Sequence, residues 1–205
     1  MRVVIQLFAR EPIPGQCKTR LIPRLGAAGA ASLYWRMVFA ALEAALGCGA
    51  DGVQMWGASA CKDGALAALC SRMSIPLHAQ SGPDLGTRML FAMQSAAASG
   101  FGSVLIGTDC PAQNTIRLAE AVAVLRTYGG WVFRPALDGG YVCVATRAPS
   151  AAAFSVMQWG TSSVMRETRE QLVAAKLGWL ELEPLADIDE PDDLSRVPAH
   201  WFEQR

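Results

Sequence analysis

Apolar positions in this chain come in two textures. In one, they form short unbroken runs, as in Val3-Val4-Ile5 and Val104-Leu105-Ile106. Such runs predict strands buried on both faces. Residues 3–8, 52–56, 75–78, 104–107, 131–135, 141–145 and 179–182 read this way. In the other, apolar residues recur every three or four positions. Leu33, Met37, Val38, Ala41 and Ala45 share one face of a helix predicted over 27–46. Leu85, Met89 and Ala92 share a face of another over 84–98. Helices are also predicted over 63–73, 115–128, 151–157 and 162–176, with a short one after Pro191. Strands alternating with helices of this length predict a mainly parallel sheet covered on both faces, an α/β/α arrangement. No linker, repeat or low-complexity stretch divides residues 1–205, so one domain is expected.

Composition narrows the partners. Lys plus Arg equals Asp plus Glu at 18 each, so no global field draws the chain to nucleic acid or an acidic membrane. Arg36 and Glu43 interrupt the most apolar helix, and no membrane span is expected. The N-terminus runs directly into a strand, without the layout of a signal peptide. The six cysteines contain no C-x-x-C pair, and Cys48, Cys70 and Cys143 sit among apolar residues as core positions. Together these features predict a reducing cytoplasm. Cys110 is a weak candidate nucleophile, with no histidine near it in sequence to activate it.

The chemistry concentrates at strand ends. Asp109 follows the apolar run 104–106, where a parallel sheet places its ligands, although an aspartate there could equally cap a turn. Residues 8–26 carry Arg10, Lys18, Arg20 and Arg24 against a single acid, Glu11. A cationic loop leaving the first strand and entering a helix is a phosphate cradle in outline. Lys18, Thr19 and Arg20 are its candidate binding residues, on a loop expected to be exposed, and Gly15 after Pro14 suits a tight turn. It is not a P-loop, because Cys17 stands where that motif needs glycine, and the G-x-G-x-x-G string at 47–52 follows a helix, the reverse of a dinucleotide site.

Acids gather elsewhere. Asp138 lies in "LDGGY", where Gly139 and Gly140 leave room for close approach of a ligand. Asp187 and Asp189 open "DIDEPDDL", in which Asp192 and Asp193 read as the acidic first turn of a helix. In "QSGPDLGTRM", Asp84 suits a helix cap, Arg88 a phosphate or an aspartate, and Gln80 a base or sugar hydroxyl. Cations at one end of the chain and carboxylates at the other suit a nucleotide with its divalent ion. Asp109 and Asp189 are the candidate ligands for Mg²⁺ or Mn²⁺. Lys18 and Asp138 are the candidates for catalysis.

The segments "PGQCKTRL", "DLGTRM", "GTDCP", "PALDGGY", "MQWGTSSV" and "DIDEPDDL" occur in the order seen in the DUF2064 family, and the chain resembles that family from Phe8 to Leu194. Its members are described as rSAM/selenodomain-associated transferase 1, a GT-A-like glycosyltransferase. The resemblance implies the nucleotide-diphospho-sugar transferase fold and transfer from a nucleotide sugar to a hydroxyl or phosphate acceptor. Lys18-Thr19-Arg20-Leu21 also resembles the Lys-Ser-Arg-Leu of phospholactate guanylyltransferases. Asp189-Glu190-Pro191 resembles the metal-binding Asp-Thr-Pro of sugar nucleotidyltransferases. The chain lacks the Asp-x-Asp of many glycosyltransferases, since Gly107-Thr108 precedes Asp109. Glycosyl transfer, nucleotidyl transfer with release of pyrophosphate, and a non-catalytic nucleotide-binding module therefore all stand as readings.

Overall fold

In the computed structural model, which describes residues 1–58, 63–155 and 158–202, the apolar runs become the strands of one sheet. They are β1 (Arg2–Ala9), β2 (Gly52–Gly57), β3 (Leu77–Ala79), β4 (Phe101–Ile106), β5 (Trp131–Pro135), β6 (Tyr141–Thr146) and β7 (Trp179–Glu181). Their spatial order is β3-β2-β1-β4-β6-β5-β7. Only β6 runs against its neighbours, pairing antiparallel with both β4 and β5. The expected sheet is thus present, and its one reversed strand follows from the tight "LDGG" turn, which leaves no room for a crossover.

Alternate side chains of each strand enter opposite layers. Val3, Ile5, Leu7, Val104 and Ile106 pack towards α1 (Ile22–Gly47), α2 (Ala65–Met73) and α4 (Thr115–Tyr128). Leu105, Phe133 and Val144 pack towards α3 (Leu85–Ala98) and α5 (Val164–Ala174). Both faces are therefore dry, which is why the strands read as unbroken apolar runs.

The helix predicted from residue 27 is real, because Gly26 adopts φ +71° and ψ 164° and breaks a preceding turn from the main helix. One expectation needs correction. Residues 19–47 are long and apolar enough to cross a membrane, despite Arg36 and Glu43. Leu33, Met37, Val38 and Leu42 are instead buried in the core under the sheet, which accounts for the apolar composition. The helix after Pro191 is a 3-10 run, Pro191–Arg196, and Asp193 acts in its first turn as the sequence suggested. Part of the 151–157 prediction, and Cys61, lie outside the described residues.

Candidate functional site

The chain passes from β1 outward to β2 and β3, then returns to place β4 on the other side of β1. The loops after β1 and β4 diverge at that reversal and open a crevice at the carboxyl ends of the strands, where open α/β sheets bind ligands. The crevice holds about 500 Å³. Lys18, Thr19, Arg20, Gln80, Arg88, Asp109 and Asp189 all line it. Tertiary structure thus gathers residues from both ends of the sequence.

Local geometry explains how each arrives. Ile13 to Gln16 form a tight turn, closed by the Gln16 N–H donating to the Ile13 carbonyl at 3.0 Å, with Gly15 at φ +83°. Gly15 shapes the loop and does not line the crevice. Glu11, the loop's only acid, is drawn away: its carboxylate accepts from the Ala65 and Leu66 N–H groups at the start of α2. Arg10, Lys18, Arg20 and Arg88 remain as cations around the crevice.

Lys18 sits in the left-handed region, at φ 46° and ψ 46°, uncommon for a residue with a side chain. Its side chain is 7% exposed, which corrects the expectation of an exposed loop residue. The ammonium reaches Asp109 Oδ2 at 3.3 Å and Asp189 Oδ1 at 2.7 Å. Burial works to lower its pKa, but the two carboxylates outweigh burial and raise it, so Lys18 stays charged. Arg20 is exposed and reaches Asp189 Oδ2 and Glu190 Oε1, each at 3.2 Å.

Backbone hydrogen bonds carry the acidic tail to this place. The Leu185 N–H donates to the Pro135 carbonyl at 3.0 Å, and the Ile188 N–H to the Asp109 carbonyl at 2.9 Å. Asp193 then accepts from the Asp189 and Glu190 N–H groups and fixes the bend beyond. Asp187, half-buried here, has its pKa raised from 3.8 to about 6, first by burial and then by the charges of Asp109 and Asp138. In the sequence Asp187 stood with Asp138 and Asp189 as a residue that could complete a metal site; its proximity to Asp109 depends on the tail's path.

Other assignments divide. Asp84 caps α3, accepting from the Thr87 N–H at 2.8 Å. The Arg88 Nε donates to the Gly82 carbonyl at 2.9 Å, which holds the side chain at the crevice wall. The Gln80 amide nitrogen donates to the Trp56 carbonyl at 2.9 Å and to the Ala9 carbonyl at 3.5 Å, so both its N–H groups serve the backbone and its oxygen is left to meet a base or sugar. Asp138 and Gly140 lie in a second cavity, and Gly139 lines neither. A side chain at Gly139 would strike the Ser162 carbonyl, so its space admits protein backbone, contrary to the ligand approach expected. Cys110 donates to the Ala186 carbonyl, and burial pushes its thiol up to about 12, which removes it as a nucleophile.

Two crevice residues escaped the sequence reading. The Tyr34 hydroxyl lies 3.2 Å from Thr108 Oγ1 and accepts from the Arg10 N–H at 2.9 Å, tying α1 to the ends of β1 and β4. Tyr34 reads as one more core residue of a helical face, and only its hydroxyl hints at more.

Two carboxylates converging on one cationic point are a hard-oxygen donor set that fits Mg²⁺ or Mn²⁺. Among the described residues, no group of three or more His, Cys, Asp or Glu side chains is arranged to hold a metal.

The family model described as "Uncharacterized protein conserved in bacteria (DUF2064)" matches residues 43–161. No curated protein matches the sequence significantly. A structure described as a "putative nucleotide-diphospho-sugar transferase" from Desulfovibrio desulfuricans G20 is 29% identical, with a TM-score of 0.82, covering 93% of this chain and 84% of that one. A CMP:2-keto-3-deoxy-manno-octonic acid synthetase complexed with CTP is 11% identical, with a TM-score of 0.61 and 96% of each chain covered. The Mycobacterium tuberculosis protein Rv0371c, in complex with manganese, is 13% identical, with a TM-score of 0.52, covering 96% of this chain and 97% of that one. The fold is that of nucleotide-diphospho-sugar transferases and nucleotidyltransferases.

Proposed function

We propose that this chain, which belongs to the DUF2064 family, is a metal-dependent cytoplasmic transferase that moves a glycosyl group from a nucleotide sugar to an acceptor hydroxyl. The observation that carries the reading is the crevice at the β1–β4 reversal, where four cationic side chains surround two convergent carboxylates. Cations of that number suit a diphosphate, and the fold shared with nucleotide-using transferases supports a nucleotide.

Asp109 and Asp189 would hold the divalent ion, whose hard character suits carboxylate oxygens. Held there, it would supply neutralisation of charge on the leaving diphosphate. A related fold solved with manganese supports that part of the reading. Lys18, released from the two carboxylates, pairs with a donor phosphate, and Arg20 and Arg88 flank it. The nucleoside extends along the ends of β1 to β3, past Tyr34 and Gln80. Asp138, across Asp109 from the phosphates, orients the acceptor hydroxyl and takes its proton. Nucleotidyl transfer remains the second reading, favoured by the CTP-bound relative of the same fold.

A thermal-shift screen of nucleotides and nucleotide sugars, with and without Mn²⁺, tests the reading, since a ligand that binds the folded state raises the melting temperature. A nucleotide sugar should stabilise the protein, and Mn²⁺ should enhance the effect. Asp109→Asn should fold normally and lose the enhancement. An unchanged metal response in that variant would remove Asp109 as a ligand. Release of a nucleoside diphosphate or of pyrophosphate then separates glycosyl from nucleotidyl transfer.

A further inference from the structure

Beyond Asp109 the crevice opens into a second cavity of about 200 Å³, bounded by α3, β6 and the turn 159–164. Its walls are Leu85, Met89, Leu105, Val144, Tyr141 and Trp159. Trp159 is held hard against the backbone of Gly86, where any side chain would collide with the indole. Its ring meets Tyr141 edge to face at 6.3 Å between centroids, so the aromatic wall is a packed surface. The charged side chains among the described lining residues are two carboxylates, Asp109 and Asp138. No Lys, Arg or His joins them there, whereas the adjoining crevice has four cations.

We infer that the acceptor is a hydroxyl compound of neutral or positive charge with an apolar body about the size of one six-membered ring, and that this cavity is its site. The inference rests on the transferase reading above and narrows it. Size follows from volume, since a dry cavity of about 150 Å³ accepts benzene. Charge follows from the lining. A phosphate or carboxylate brought here would face the Asp138 carboxylate, which no cation pairs among the described residues, beside an Asp109 already held by Lys18, and would find no cation in the cavity's own lining, at a low-dielectric wall where repulsion is strongest. A phosphorylated acceptor, the class that nucleotidyl transfer to a sugar phosphate requires, is therefore disfavoured in this cavity. The position suits the reaction as well. Asp109 borders both spaces, so a hydroxyl near Asp138 lies on the opposite side of Asp109 from the donor phosphates.

The test uses three probes built on one ring: benzyl alcohol, benzylamine and benzoate. Each is titrated into the ¹⁵N-labelled protein while the Trp159 indole N–H resonance, assigned with Trp159→Phe, is followed. Benzyl alcohol and benzylamine should shift that resonance saturably. Benzoate should bind at least about tenfold more weakly than benzyl alcohol. Asp138→Asn preserves the size of the side chain and removes one charge, so it should narrow the alcohol-to-benzoate ratio by about threefold. Benzoate binding as tightly as benzyl alcohol would overturn the inference, as would a ratio unmoved by Asp138→Asn or an indole untouched by all three probes. UDP, CDP and GDP with Mn²⁺ are titrated in parallel samples. Nucleotide binding without any ring response overturns this inference alone. Absence of nucleotide binding overturns the transferase reading itself.

Discussion

The two spaces at the carboxyl edge of the sheet share Phe8, Leu85, Gly107 and Asp109, yet differ in nearly everything else. The larger one is ringed by cations on loops and helix starts. The smaller one is walled by side chains of the core itself, such as Leu105 and Val144 on β4 and β6. The contrast follows from the topology. Loops at the β1–β4 reversal are free to carry charge because they border water. The reversed strand β6 brings apolar core positions up to the edge, and only its entry turn offers a carboxylate. A ligand spanning both would have its anionic part on one side of Asp109 and its uncharged part on the other.

Separate substitutions should break this division in order of size. Asp138→Asn, on the apolar side, should leave donor binding intact and lower turnover by about 10²–10⁴-fold, the usual contribution of a general base. Joint loss of donor binding and turnover would make Asp138 part of the metal site, and unchanged turnover would leave it as the turn residue that accepts from the Gly140 N–H. Lys18→Ala, on the cationic side, should weaken donor binding by about 1.5–3 kcal/mol, the range for a hydrogen bond to a charged group. It should also destabilise the free protein, because Asp109 and Asp189 then face each other without their shared cation. Calorimetric titration and urea unfolding separate the two effects.

Asp187 feels the carboxylates of both spaces and so measures whether they form one field. Its folded-state pKa is raised, so its favourable contribution is full below about pH 3.8 and is lost as pH rises through about 6. Asp187→Asn should remove that loss, and the variant should exceed the parent in stability at pH 7.5 by about 1–2 kcal/mol after allowance for partial exposure. Urea unfolding at pH 3.5 and pH 7.5 checks the sign: the advantage should vanish at the lower pH. The smallest effect is on Arg20, whose side chain is 61% exposed. Arg20→Ala should change stability by less than about 0.5 kcal/mol, as surface sites do. A larger change would mean that its contacts with Asp189 and Glu190 hold the tail in place.

Strand and helix positions were legible in the sequence because burial on both faces leaves a signature that needs no partner to read. The runs around Val3 and Val104 and the helical face at Leu33 became the elements they predicted, and α3 formed with Met89 and Ala92 buried but Leu85 exposed at the crevice. Turn chemistry was equally local: Pro14-Gly15 turned, Asp84 capped, and Asp193 stabilised the start of its 3-10 run. Residue type alone also marked Lys18, Asp109 and Asp189 as candidates. Tertiary structure decided what those candidates touch. Lys18 and Asp189 are separated by 171 positions, and the pairing of β1 with β4, together with the path of the acidic tail, brings them within 2.7 Å. The burial of Lys18, the placing of Asp187 near two other acids, and the division of the edge into a charged and an apolar space all depend on that long-range pairing. A hydrophobic pattern records whether a position is buried, which is a property of the residue and its near neighbours. Which distant charges share that burial is set by strand order.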